Sequence, residues 1–213
     1  MSATVKDVMS THVIAVRENA TYKEMAARLH EMHVSAFPVL DGEDRVIGVI
    51  SESDLLAKAA LGETMPDALG GMMRAVERAK ATGVTAGELM TAPAATVDPD
   101  DTVAHAARLM YGRRVKRLPV TDGAGKLVGI ISRADVLSVY GKTDLDIRRD
   151  IRREVIAGAC GSDPARFAVS VSDGIVTLEG TPESPAAGHE IVDAARHADG
   201  VVAVRDRLTY PPS

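Results

Sequence analysis

The chain has 213 residues, 46% of them hydrophobic and 26% charged, the make-up of a globular protein with room for one large domain or two small ones. Lys and Arg number 25 against 30 Asp and Glu, a net charge of −5, and 3% of residues are aromatic. This balance argues against nucleic acid as a partner, against a base-stacking surface and against an aromatic membrane belt. The one cysteine, Cys160, excludes an intramolecular disulfide framework and a Cys-cluster zinc site. Met1 to Asp7 carry no apolar stretch of a signal peptide and no run reaches membrane-spanning length, so a cytoplasmic protein is expected.

Taken in order, the chain matches itself at a shift of 81 without a gap from residue 4 to 56. Thr4 falls on Thr85, Val16 on Val97, Thr21 on Thr102, Pro38-Val39 on Pro119-Val120, Gly48 on Gly129, Ser51 on Ser132 and Asp54 on Asp135. Two copies of one unit packed about a pseudo-twofold is the simplest arrangement. Each unit reads strand–helix–strand–strand–helix. Thr21 caps a helix, with Glu24 placed for a capping box, and Tyr22, Met25, Ala26 and Leu29 recur at helical spacing. A strand ends at Phe37-Pro38-Val39-Leu40. Asp41-Gly42 is a turn dipeptide, and Val46 to Ile50 is a second strand. The second copy repeats each feature through Val103, Leu118, Asp122-Gly123 and Leu127 to Ile131. Repeat one covers 1–60, a helical linker with Leu69, Met72, Met73 and Val76 on one face covers 61–84, and repeat two covers 85–141.

Beyond Lys142 the pattern changes. Ile147, Ile151 and Val155 mark a helix, and Phe167 to Leu178 alternate about Asp173-Gly174 as a hairpin. Ser184 opens a second helix that Gly200 ends, and Val202, Val204 and Leu208 make a last strand. The whole is α+β, with a small αββαβ unit over 145–209.

Within the repeats, Gly48-Val49-Ile50-Ser51-Glu52-Ser53-Asp54 and its copy Gly129 to Asp135 have the chemistry of a nucleotide site. Glycine lets a ligand approach the backbone, and a helix N-terminus presents N–H groups to an anion. The serine hydroxyl donates to ribose or phosphate, and the aspartate accepts from ribose hydroxyls. The plainer alternative is a serine cap and a favourable first-turn charge.

The doubled Leu/Phe-Pro-Val-x-Asp-Gly and Gly-h-Ile-Ser-x-x-Asp strings resemble tandem CBS domains, the Bateman module. The resemblance implies clefts between repeats that bind AMP, ADP, ATP or S-adenosylmethionine, with no required cofactor, and a homodimer. It implies one site of Ser132 and Asp135 with Val34, Ser35 and Ala36, and another of Ser51 and Asp54 with Val115, Lys116 and Arg117. Val115 to Pro119 is similar to the phosphate-reading segment of AMP-activated kinase gamma subunits, with Lys116-Arg117 where a His-Arg pair stands there. Arg113, Arg114, Lys116 and Arg117 cluster in repeat two where repeat one has Met32, His33, Ser35 and Ala36, so the Asp54 site is expected to favour polyphosphate.

The tail, through Val169-x-Val171-x-Asp173-Gly174-x-Val176-x-Leu178-x-Gly180-Thr181 and Gly200-Val201, resembles a BON domain, a family associated with phospholipid surfaces. Arg148, Arg149, Arg152 and Arg153 offer charge to an anionic membrane, but interleaved Asp144, Asp146, Asp150 and Glu154 favour a salt-bridged helix face. His30 and His33 lack a third metal ligand, Cys160 lacks a catalytic setting, and no P-loop, GxSxG or HExxH is present. The expected protein is therefore a non-enzymatic sensor of adenosine nucleotides acting on an effector protein. Its rival is a ligand-free structural adaptor docking through the tail.

Overall fold

The computed structural model describes residues 3–61 and 83–210. The predicted linker face of Leu69, Met72, Met73 and Val76 lies outside the described residues. In chain order the first repeat runs α1 (Val5–Val8), β1 (Val16–Arg17), α2 (Tyr22–Met32), β2 (Ala36–Leu40), β3 (Val46–Ser51) and α3 (Glu52–Leu61). The second runs α4 (Ala86–Leu89), α5 (Val103–Arg113), β4 (Arg117–Thr121), β5 (Leu127–Ser132) and α6 (Arg133–Ser138). The tail runs α7 (Asp144–Asp150), a π-helical stretch Ile151–Ala159, β6 (Phe167–Ser172), β7 (Ile175–Gly180), α8 (Pro185–Arg196) and β8 (Ala203–Leu208). These elements form two compact units: a repeat unit of Met9–Asp101 and His105–Ser132, and a tail unit of Met1–Val8, Thr102–Ala104 and Arg133–Ser213.

In the repeat unit, Thr21 caps α2 by accepting from the Glu24 N–H at 3.3 Å, and His33 ends it in the left-handed region at φ 52°. Arg114, the copy of His33, ends α5 the same way at φ 56°. Strand β1 pairs parallel to β2, which pairs antiparallel to β3 with Ala36 opposite Ser51. In the second copy β4 and β5 pair in the same register, Arg117 opposite Ser132, and the first strand shrinks to a single bridge, Val97 to Val120. Met25, Phe37, Val39 and Ile50 are fully buried, each such side chain contributing about 1.5–3 kcal/mol. Ala86 and Leu89, from the start of the second repeat, complete that same core.

This exchange of starting segments follows the pseudo-twofold. Val49 bridges Thr91 and Ser10 bridges Ile130, one pair with the repeats interchanged, while Arg45 bridges Lys126, its own copy. It also corrects the reading of the two motif glycines. A Cβ at Gly129 would lie 2.5 Å from the Met9 Sδ, and Met90 occupies the same place over Gly48. These glycines admit a methionine of the exchanged segment, not a ligand.

The hairpin loops differ from the predicted Asp-Gly dipeptide turns. The left-handed residue is Asp44 at φ 66° in one copy and Gly125 at φ 77° in the other, with Gly42 and Gly123 in ordinary conformations. The cause is the aspartate. Asp41 Oδ1 accepts from the Glu43 and Arg45 N–H groups, and Asp122 Oδ1 accepts from Ala124 and Lys126, closing a wider loop. The tail hairpin is a true two-residue turn, with Asp173 at φ 52° and Gly174 at φ 72° between paired Ser172 and Ile175.

In the tail unit the sheet order is β6-β7-β8, with β8 parallel to β7. Ile147, Ile151, Val155 and Ile156 from the helical stretch and Ile191, Val192 and Ala195 from α8 bury one sheet face through Phe167, Val176 and Leu178. Asp144 steadies the hairpin, its two oxygens accepting from the Asp173 and Gly174 N–H groups at 2.9 Å. Arg149 pairs with Asp146 and Asp150, and Arg152 donates to the Phe167 carbonyl, so part of the arginine run serves its own domain.

Candidate functional site

A cleft of about 470 Å³ lies within the repeat unit, large enough for a mononucleotide. One wall is the turn from β3 into α3, with Ser51, Glu52, Ser53 and Asp54. The β-hairpin delivers Ser51 to the end of a strand, and Asp54 stands in the first turn of the helix that follows. Asp54 Oδ2 accepts from the Ser51 N–H at 2.8 Å and from the Ser51 hydroxyl at 2.7 Å. The plainer alternative makes the serine the cap; the hydrogen bonds instead make the aspartate the acceptor, with the serine N–H and hydroxyl as donors. The same bonds fix the carboxylate at the mouth of the helix, where a second set of donors can reach it.

The opposite wall is the segment from the end of α5 into β4: Arg113, Arg114, Val115, Lys116, Arg117 and Leu118. The left-handed Arg114 turns the chain out of the helix, and Val115 N–H returns to the Met110 carbonyl at 3.0 Å. Among the described residues, four cations and two carboxylates, Glu52 and Asp54, thus line one cleft. Arg117 carries the most telling feature: its Nε is buried and has no hydrogen-bond partner among the described residues. An unpaired buried donor costs about 1–3 kcal/mol, which an acceptor entering the cleft would relieve.

Of the residues singled out from sequence, Ser51, Asp54, Val115, Lys116 and Arg117 are brought together here. Ser35 and Ala36, expected beside Ser132 and Asp135, also line this cleft, because the β2–β3 register sets Ala36 opposite Ser51 and the Glu52 N–H donates to the Ser35 carbonyl at 3.1 Å. Val34 lines a separate, shallow depression with His30, His33 and Glu52. Ser132 ends β5 opposite Arg117, and Asp135 belongs to the first turn of α6 in the tail unit. Thr91, Pro93, Ala94 and Ala95 were not anticipated. They reach the cleft through the pairing of Thr91 with Val49, and form a small, uncharged wall suited to a flat ring. A signal did exist: Thr91 is the copy of Ser10 at the repeat shift, and both sit in exchanged segments.

Among the described residues no group of three His, Cys, Asp or Glu is placed to hold a metal, and no helix is long and apolar enough to cross a membrane. Cys160 is half-buried; burial and then Glu190 push its thiol pKa up, away from a reactive thiolate.

Comparison with known proteins identifies the domains. The CBS domain model matches residues 5–60 and 86–142, and the BON domain model matches 143–212. The CBS domain-containing protein CBSX1 of Arabidopsis thaliana is 33% identical over 57% of this chain and 56% of its own length. An uncharacterized protein of Methanopyrus kandleri is 30% identical over 65% of this chain and 63% of its own, so the chain spans about three fifths of these two relatives. CBSX2 in complex with AMP superposes with a TM-score of 0.56 at 30% identity, covering 63% of this chain and 94% of that one. A CBS pair in complex with 5′-methylthioadenosine and S-adenosyl-L-methionine shares the fold with a TM-score of 0.54 at 23% identity, over 66% of this chain and 98% of that one.

Proposed function

Because the chain belongs to the CBS-domain family and ends in a BON domain, we propose that it is a non-enzymatic regulatory protein sensing an adenosine nucleotide in the Asp54 cleft. The observation that carries the reading is the buried Arg117 Nε, unpaired among the described residues, in a cleft whose charged lining among those residues is four cations and two carboxylates. Asp54, with Ser51 beside it, takes the ribose hydroxyls. Ala94, Ala95 and Val49 flank the base. Arg117, Lys116 and Arg114 meet the phosphates. The excess of positive charge favours ATP and ADP over adenosine, and disfavours the cationic sulfonium of S-adenosylmethionine. Ser132 and Asp135 repeat the Ser-x-x-Asp chemistry in the second copy.

The ligand acts by binding one arrangement of the repeats more tightly than another, and the output passes to an effector protein. A homodimer is part of the proposal, supported by an apolar shelf of Tyr22, Leu29, Leu55 and Leu56 on α2 and α3, where Leu56 is 68% exposed. The BON domain docks on a protein partner in preference to an anionic membrane, because Arg149 and Arg152 already hold partners within the domain.

Thermal unfolding of the full chain with millimolar ATP, ADP, AMP, adenosine and S-adenosylmethionine tests the reading. A ligand at one hundred times its Kd adds about 2.7 kcal/mol. ATP and ADP are expected to raise Tm most. A Tm unmoved by every nucleotide would replace the sensor with a ligand-free adaptor.

A further inference from the structure

Within the tail unit, one carboxylate joins three parts of the chain. Asp199 lies in the turn between α8 and β8, and the next residue, Gly200, holds φ 82° with Ile147 and Lys142 packed where a Cβ would stand. Asp199 Oδ1 accepts from the Ala3 N–H at 2.8 Å. Its Oδ2 lies 3.6 Å from the Lys142 Nζ, which also donates to Asp150 at 3.0 Å. The carboxylates of Asp199 and Asp150 are each only 17% exposed, so this is a sheltered cluster at the entry to the domain. On its other side Ala3 continues the line: its carbonyl accepts from the Val103 N–H at 3.0 Å, and Thr4 bridges Thr102. Both backbone polar groups of Ala3 are thus used, one toward the BON domain and one toward the first turn of α5.

We infer that Asp199 is a clasp that ties the BON domain to the opening residues of repeat one and, through Ala3, to the start of α5 in repeat two. The BON domain is therefore not a free tail on a single tether at Gly141 to Thr143. It is held at a second point by residues 3–8 and the start of α5, which belong to the same compact unit, so a displacement of either is delivered to it directly. Lys142 aims the carboxylate: partial burial lowers the pKa of its own ammonium, but the hydrogen bond to Asp150 and then the charges of Asp150 and Asp199 outweigh this and raise it.

Amide hydrogen exchange read by mass spectrometry on the full chain tests this. In Asp199→Ala, segments 3–8 and 102–105 are expected to exchange at least tenfold faster than in the unaltered chain, with β6 to β8 as protected as before. Ala3→Pro removes the donor from outside the BON core and is expected to speed 102–105 by a similar factor. The double variant should add little to either single one. Asp193→Asn, on an exposed stretch of α8, should change neither segment. Unchanged exchange of both segments in Asp199→Ala would overturn the clasp. If Asp199→Ala also exposes β6 to β8, Ala3→Pro decides: faster exchange at 102–105 upholds the clasp and an unchanged rate overturns it.

Discussion

Residues 32–36 and 113–117 are the same stretch of backbone in the two repeats and hold opposite chemistry. His33 and Arg114 both leave their helices in the left-handed region, and Ala36 and Arg117 both stand opposite a motif serine across a hairpin. Yet one string is Met32-His33-Val34-Ser35-Ala36 and the other Arg113-Arg114-Val115-Lys116-Arg117. Duplication preserved what the backbone needs: a helix stop, a ladder register and a buried apolar residue before the Pro. The side chains that the backbone left unconstrained diverged, and in one copy they made a cationic wall. Fold is the shared part of these segments and charge is the unshared part.

The sharpest way to break that comparison is Arg117→Ala. Losing a charge-assisted contact to phosphate should cost about 1.5–3 kcal/mol, on the order of a ten- to hundredfold loss for ATP, with adenosine nearly unaffected. Calorimetry at two salt concentrations checks it, since the difference should shrink as salt screens the charge. Equal losses for ATP and adenosine would make Arg117 a structural support of the cleft.

The shared backbone makes its own demand. Gly48→Ala and Gly129→Ala should destabilise the repeats by similar amounts, about 1–3 kcal/mol each, because each new Cβ meets a methionine of the exchanged segment. Gly42→Ala, with nothing within 4 Å of the added carbon, is the control. Denaturant unfolding of the three variants measures this, and a large effect in only one motif glycine would deny the symmetry. Asp54→Ala should show two losses at once: ligand affinity, and ~1 kcal/mol of stability through the Ser51 hydrogen bonds. Calorimetry and a denaturant melt on the same sample separate them.

The smallest effect contrasts Asp7 with its copy Glu88. The Thr4 hydroxyl and N–H hold the Asp7 carboxyl below the usual range, and the Val84 and Thr85 N–H groups do the same for Glu88. A depressed pKa gives stability that is present above the unfolded value, about 3.9 for Asp and 4.3 for Glu, and is lost as pH falls through the folded one. Asp7→Asn and Glu88→Gln should therefore flatten the drop in Tm on acidification below pH 5. An acid limb identical to that of the unaltered chain would show that the caps contribute nothing.

Much of this was legible in the sequence because it is local or repeated. The shift of 81, the Ser-x-x-Asp strings, the helix caps at Thr21 and Ser184 and the Asp173-Gly174 turn each lie within a few residues of their partners. What the sequence hid is non-local. Thr91 to Ala95 reach the cleft only because one repeat's opening segment pairs with the other repeat's strand. The reason for Gly48 and Gly129 is a methionine some forty or more than a hundred residues away. The placing of Ser35 and Ala36 beside Ser51 follows from hairpin register, which a motif comparison does not contain. Apolar spacing marked Ile147, Ile151 and Val155 as helical but not the wider π-helical winding from Ile151 to Ala159, since the same buried face serves both.

The central claim, that the arginine-bearing copy made a polyphosphate nucleotide site, is tested most directly by a crystal structure of the full chain grown with saturating ATP. The account predicts density in the Asp54 cleft, with the ribose on Asp54, the base against Ala94 and Ala95, and a phosphate oxygen within hydrogen-bond reach of the Arg117 Nε. An empty Asp54 cleft at saturating ATP, or a nucleotide bound there with its phosphates turned away from Arg117, would contradict it.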